Sequence, residues 1–242
     1  MKPLCRDFSG LTESECIKMQ QELSPGIVQK NAVATEDIRT VAGVDIAYWQ
    51  ADNTEWAVCC IVVIDVKSRT VTEKQYSAGS VKFPYIPGCL AFRELPLVLE
   101  TAAKLERKPD VFIFDGNGIL HPRGMGLAAH ASFYLDSPTA GIAKHYFKVE
   151  GAEFTMPPPE KGSFSDIIKN GGILGRAVRT RGGVKPVYVS VGNHMDIDAV
   201  TELALSLTDN ESHIPIPTRY ADMETHVMRS RLKNCQCTMD NA

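Results

Sequence analysis

The sequence has no apolar run long enough to cross a bilayer, and its opening residues MKPLCRDFSG hold no stretch of signal-peptide length. A cytoplasmic protein without a membrane partner is therefore expected, with the nucleus as a second compartment. A Cys-x-x-Cys pair is also missing. The seven cysteines, Cys5, Cys16, Cys59, Cys60, Cys89, Cys235 and Cys237, are odd in number, and two of them sit inside an apolar stretch. No disulfide framework is expected, and the thiols read as reduced. Cys235-x-Cys237 has no second pair to complete a metal site and reads as part of a flexible tail over 233–242. Charge of one sign is not in excess: 26 basic and 29 acidic residues give a net −3. Charge thus neither indicates nor excludes a nucleic acid, and any basic surface has to be local. There is no internal repeat. What is there is ordinary for a globular chain, with 242 residues, 44% hydrophobic and 23% charged. One domain over 1–232 with its own core, acting as a monomer, is the expectation.

The pattern along the chain is α/β. Residues 11–31 carry spaced apolar positions behind a Thr12-x-x-Glu15 capping box, which predicts an amphipathic helix. Val41–Tyr48, Trp56–Val66 and Arg69–Ala78 read as three strands joined by short turns, hence an antiparallel meander. A helix is expected over Cys89–Arg107, a buried strand over Val111–Phe114, a helix from Met125 to Leu135, and a strand over Thr139–Ala143. Strand, helix and strand in that order make a right-handed parallel unit. It would bring Lys144 to the sheet edge where Asp115 stands. A strand pair, Gly171–Arg179 with Lys185–Val191, follows a proline-rich surface insertion, Met156–Ser163. The last two helices are Asp196–Leu207, capped by Asp196, and Thr218–Arg231, capped by Thr218. Arg176, Arg179, Arg181 and Lys185 cluster around one hairpin, either as phosphate contacts or as a solvated basic turn.

Chemistry is concentrated in a few places. Asp45 interrupts an apolar strand, where a lone carboxylate is costly without a cation. Asp115 ends the central strand, where open α/β sheets place ligands, and opens DGNGILHPRGMGLAAH, whose four glycines suggest a close approach of backbone to something. A glycine-rich turn with an Asp cap is the plainer reading. Glu94 lies on the first long helix and Asp222 on a late one. An exposed helical Glu is ordinarily a solvated charge. Several carboxylates from separate elements can share one or two hard divalent ions, which would stabilise the attacking and leaving oxygens of a phosphodiester displacement. Pro84-Tyr85-Ile86-Pro87 is a stiff loop that either offers Tyr85 as a wedge for a base or packs it on the core.

Six stretches in order carry a resemblance: Val41–Ile46 (VAGVDI), Tyr85–Pro96 (YIPGCLAFRELP), Asp115–His130, Gly141–Lys144 (GIAK), Tyr188–Met195 (YVSVGNHM) and Pro217–Asp222 (PTRYAD). Over about residues 40–225 the chain resembles the endonuclease V family. The resemblance implies a ribonuclease-H-like mixed sheet flanked by helices, and an enzyme that cuts the second phosphodiester 3′ to an inosine, leaving 3′-hydroxyl and 5′-phosphate. It implies Mg²⁺, with Mn²⁺ as substitute, held by Asp45, Glu94 and Asp115, with Asp222 as a further ligand or a group behind one. Lys144 would neutralise the scissile phosphate or orient water. The Pro84–Pro87 loop would be the wedge, and a hypoxanthine pocket would be lined by Gly88, Leu90, Gly116, Gly118, His121, Leu127 and Gly141. Arg123 and Lys148 would contact phosphates. Cysteine content and the Ala-Phe-Arg-Glu and Val-Gly-x-His-Met wording resemble the animal branch, which implies inosine in RNA ahead of DNA. A non-catalytic inosine reader, a DNA-directed deoxyinosine endonuclease and another ribonuclease-H-like nuclease are the alternatives.

Overall fold

Successive side chains of Val41–Val44 enter different hydrophobic clusters: Val41 joins one, while Ala42 and Val44 join the other. A strand that is apolar on both sides needs a layer over each face. The computed structural model, which describes residues 8–239 apart from the side chains of 235–239, supplies both layers. The strands are β1 (Thr40–Ala51), β2 (Thr54–Asp65), β3 (Val71–Ser80), β4 (Val111–Phe114), β5 (Thr139–Ala143), β6 (Phe164–Lys169), β7 (Gly172–Val178) and β8 (Val187–Asn193). They form one sheet in the order β3-β2-β1-β4-β5-β8-β7-β6. The expected meander and parallel unit are both present: β1, β2 and β3 pair antiparallel, and β1, β4 and β5 pair parallel.

Helices α1 (Glu13–Leu23), α2 (Leu90–Ala102) and α3 (Leu127–Leu135) cover one face, where Phe92, Leu95, Phe112 and Phe114 are buried. Helices α4 (Ile197–Ser206) and α5 (Ile216–Met239) cover the other, over Val41, Ile113 and Val191. Gly43 is what lets α5 lie against β1. A Cβ there would collide with the backbone of Pro217 and Thr218 at the start of α5. The capping box of α1 is formed, with Thr12 N–H donating to Glu15 Oε2 at 2.8 Å, and Asp196 caps α4 through Ala199 N–H. The turn at Asp52-Asn53 has both residues at positive φ, as a two-residue hairpin that matches strand twist requires.

Several expectations are corrected. Helix α1 stops at Leu23, because Pro25 and Gly26 follow in a 3-10 turn. Helix α2 ends at Ala102 rather than Arg107. Strand β6 went unrecognised because it is an edge strand with only Ile167 buried and so lacks an alternating pattern, and it borders the proline-rich insertion. Thr218 does not cap α5. The helix begins at Ile216, and the Thr218 hydroxyl donates back to Pro215 O. Helix α5 continues through 233–239, into the segment read as a tail; residues 240–242 and the side chains of Cys5, Cys235 and Cys237 lie outside the described residues. Cys16, Cys59, Cys60 and Cys89 are free and buried. Arg176 is no phosphate contact: it is 7% exposed and pairs with Asp166 at 2.7 Å and Asp198 at 2.5 Å. Arg179 donates to the carbonyls of Pro157 and Val184, so both arginines fasten the hairpin to its surroundings. Among the described residues no helix is long and apolar enough to cross a membrane.

His130 of α3 is fully buried among Phe8, Phe92 and Tyr134, and neither ring nitrogen has a hydrogen-bond partner among the described residues. Burial, aided by His121, holds its pKa down to about 3. The unfolded chain takes up this proton near pH 6.5 and the folded protein does not. Stability attributable to neutral His130 is therefore present above pH 6.5 and lost as pH falls from there toward 3. Between pH 6.5 and 4.5 the parent is expected to lose about 2 kcal/mol more unfolding free energy than His130→Leu, measured by denaturant titration at each pH. Identical pH dependence in the two proteins would contradict the burial argument.

Candidate active site

Strand β4 is only four residues long, and its parallel pairing with β1 stops at Val44↔Phe114. The chain then leaves the sheet at Asp115, whose N–H still bonds Val44 O at 3.1 Å. Strand β1 runs on toward Ala51 with no β4 neighbour beside it, so a crevice opens at the carboxyl ends of β4 and β5. Asp45 lies on its floor, Asp115 at its rim, Lys144 one residue past β5, and Asp222 reaches it from α5. One carboxylate oxygen from each of Asp45, Asp115 and Asp222 lies within 4.8 Å of the other two. Lys144 Nζ bridges two of them, 2.8 Å from Asp115 Oδ2 and 3.3 Å from Asp222 Oδ1.

The electrostatics show how unusual this grouping is. Burial, and next the negative charge of Asp115, push the Asp45 carboxyl up to about 7. Burial opposes the charge on Lys144, yet its hydrogen bond and ion pair with Asp115, helped by Asp222, outweigh that and raise its pKa. The lysine therefore stays an ammonium and acts as a cation inside an acidic cup. Three oxygen donors from three elements around one positive charge fit a hard divalent ion, which prefers carboxylate oxygens and can take water for its remaining positions.

Glu94 lines the same cavity, of about 300 Å³, but is not one of the three clustered carboxylates. It is 8% exposed, so it is not the solvated helix charge that composition suggests. Its Oε1 accepts from Tyr48 Oη at 2.8 Å, and burial pushes it up to about 8. Arg93 stacks over the Tyr48 ring at 4.6 Å and pairs with Glu55 at 2.5 Å, which holds the tyrosine in place. Thr225 is the second residue that sequence reading missed. Its hydroxyl lies 3.0 Å from Asp45 Oδ2 and 2.7 Å from Asp222 O, so its one proton serves either, and it ties α5 to β1. The i, i+3 spacing from Asp222 was the available signal.

A second, narrower cavity of about 140 Å³ adjoins the first, with Leu127 lining both. Gly88, Leu90, Gly116 and His121, read as pocket residues, line it, and so do Tyr85 and Ile86 of the loop read as a wedge. Gly118 and Gly141 do not. They sit behind the wall, where a Cβ on Gly118 would strike Val191 O and one on Gly141 would meet Gly118 N and Gly116 O. Phe147, Asn117, Met125 and Gln20 line the slot unforeseen, and the Phe147 ring lies parallel to that of His121 with centroids 6.0 Å apart. Tyr85 is 69% exposed, so it is not core, and Pro84 and Pro87 flank it at the surface. Lys148 is exposed. Arg123 instead turns inward, donating to Gln20 Oε1 at 2.6 Å and Gly88 O at 2.7 Å. His121 Nε2 is 3.0 Å from Gly88 O, which only accepts, so Nε2 carries the proton and Nδ1 accepts from Arg123 N–H at 3.2 Å. Burial and the Arg123 charge lower its pKa to about 4. The imidazole is a neutral wall of the slot.

Comparison with known proteins agrees with this geometry. The family described as Endonuclease V matches residues 21–223. The Endonuclease V of Bacillus thuringiensis subsp. konkukian is 49% identical over 231 residues, 96% of this chain and 95% of the relative. The crystal structure of Endonuclease V from Bacillus subtilis superimposes with a TM-score of 0.90 at 47% identity, over 94% of this chain and 96% of that one. Ciona intestinalis Endonuclease V, in complex with a 24mer DNA containing an inosine followed by a ribo-adenosine, gives 0.78 at 25% identity over 90% and 98%. Identity is thus higher with these bacterial members than with the animal one, against the expectation from motif wording.

The carboxylate cup predicts that Mn²⁺ raises the melting temperature of the parent. Binding at about a hundredfold its Kd corresponds to about 2.7 kcal/mol, or roughly 5–10 °C for a chain of this size. Asp45→Asn should melt higher than the parent without metal, since it removes a repelling charge, and should show little further shift with Mn²⁺. An equal metal shift in both proteins would contradict the assignment.

Proposed function

The chain belongs to the endonuclease V family, and from that premise we propose that it is a divalent-metal-dependent endonuclease acting on inosine-containing nucleic acid. It cuts the second phosphodiester 3′ to the inosine and leaves a 3′-hydroxyl and a 5′-phosphate. The observation that carries this reading is the pairing of two cavities across Leu127, an acidic cup with a lysine and a slot of about 140 Å³.

In this reading Mg²⁺, or Mn²⁺ in its place, supplies charge neutralisation at the scissile phosphate and its leaving oxygen. Asp45, Asp115 and Asp222 would hold the ion, and Glu94 lines the same cavity. Lys144, held here by Asp115 and Asp222, would pair with the scissile phosphate or orient the attacking water. The slot takes hypoxanthine turned out of its strand, between Leu127 and the His121–Phe147 pair. Tyr85, exposed on a loop stiffened by Pro84 and Pro87, occupies the gap left in the stack. Adenine carries an amine where hypoxanthine has oxygen and lacks the N1–H, so it leaves buried groups unpaired.

RNA is the first substrate reading. It now rests on the 2′-hydroxyl after the inosine in the Ciona complex, because similarity to bacterial members removes the motif-wording argument. A DNA substrate is the second reading, since that same complex holds a DNA strand. A monomer working in the cytoplasm is the accompanying proposal.

Parent enzyme with Mg²⁺ should cut an inosine oligonucleotide at one site and leave the adenosine control intact. Asp115→Asn should slow it at least a hundredfold. Equal cutting of the two oligonucleotides, or an unaffected variant, would refute the reading, and matched RNA and DNA strands decide the sugar. Tyr85→Ala should lower duplex cleavage about tenfold and single-strand cleavage far less, as measured by single-turnover rates. An equal loss on both would remove the wedge.

A further inference from the structure

Gln20 lies outside the family match, which starts at residue 21, yet it is 1% exposed and lines the slot. Its single amide joins three segments. Nε2 donates to Gly88 O at 2.9 Å and to Met125 O at 3.1 Å, and Oε1 accepts from Arg123 Nε at 2.6 Å. Gly88 belongs to one wall of the slot, and Arg123 and Met125 belong to the loop that forms the other. The amide therefore fixes the distance between the walls.

We propose that Gln20 is a specificity-determining positioning residue: by clasping Gly88, Arg123 and Met125 it sets the width of the slot that admits hypoxanthine. The inference rests on the base-slot reading given above. The Gly88 carbonyl also accepts from Arg123 Nη2 and His121 Nε2, so its peptide plane is held by three donors. Gly88 is at φ +77°, a conformation in which the chain turns sharply into α2. Cys89, next in sequence, is the N-cap of α2 but its side chain bonds none of the helix's free N–H groups, and Leu90 and Ala91 in the first turn line the slot. Fixing the Gly88 peptide fixes the backbone beside the base. An apolar side chain at position 20 leaves two carbonyls and one guanidinium N–H without that partner in a buried place, and the walls are then free to part. A wider slot rejects the wrong base less well, because discrimination depends on unpaired groups having nowhere to go.

The test is steady-state cleavage of inosine- and adenosine-containing strands by Gln20→Met and Gln20→Glu. Gln20→Met should raise KM for the inosine strand about tenfold, change kcat little, and reduce the inosine-to-adenosine preference at least tenfold. Its Mn²⁺-induced melting shift should match the parent, since the acidic cup is untouched. Gln20→Glu keeps only the Arg123 contact and should fall on the same side, and it carries the test if Gln20→Met does not fold. A purely structural role would lower the active fraction, and so kcat, with KM and base preference unchanged; that outcome overturns the proposal. A parent enzyme with no inosine preference would overturn the base-slot reading instead.

Discussion

Three carboxylates with oxygens within 4.8 Å of one another repel, and the fold has to hold them there. At an effective dielectric of about 20 each such pair costs a few kcal/mol, a large share of the stability of a typical domain. Asp45 is embedded in a central strand, Asp115 terminates its parallel neighbour, and Asp222 rides on a helix pressed onto β1 at Gly43. None of these side chains can withdraw without disturbing the sheet or the helix packed on it. Lys144 offsets part of the repulsion, and the Thr225 hydroxyl more of it. What remains is a site whose preference for a compact, highly charged cation is built into the chain.

That constraint explains the arrangement around it. Gly118 and Gly126 of the Asp115–His130 segment, with Gly141 of β5, let the loop press against β8, β5 and itself, backbone to backbone. Leu127, the first residue of α3, lines both the acidic cup and the slot, so under the proposed function one apolar side chain would set how close a base comes to the reacting phosphate. The aromatic pair His121–Phe147 and the Gln20 clasp line and tie the slot, with the Arg123 guanidinium taken up by Gln20 and Gly88, while the clustered carboxylates lie on the other side of Leu127.

Much of this was legible in the sequence because it is local. A carboxylate amid Val41–Tyr48, a short apolar run ending at Asp115, and strand-helix-strand order through Lys144 each follow from periodicity and turn chemistry. The meeting of Asp115 and Lys144 followed from the parallel strand-helix-strand unit, which the structure bears out, whereas Asp45 was joined to them by the resemblance. What sequence did not disclose depends on contacts between distant segments. Gln20 reaches Gly88 and Met125 across 68 and 105 residues, and Thr225 reaches Asp45 across 180. Arg123 and Arg176 looked like phosphate contacts because charge alone cannot tell an exposed cation from one turned inward onto buried acceptors. Glu94 posed the reverse problem, since a helix face shows which residues share a side and not whether that side is covered.

The central claim is that the acidic cup holds a divalent cation where Lys144 now sits. Anomalous diffraction from crystals grown with Mn²⁺ tests it most directly. The account predicts a peak roughly 2.2 Å from carboxylate oxygens of Asp45 and Asp115, with Lys144 Nζ moved away from them. A protein saturated with Mn²⁺ that shows no peak there, and still keeps Lys144 bonded to Asp115, would contradict it.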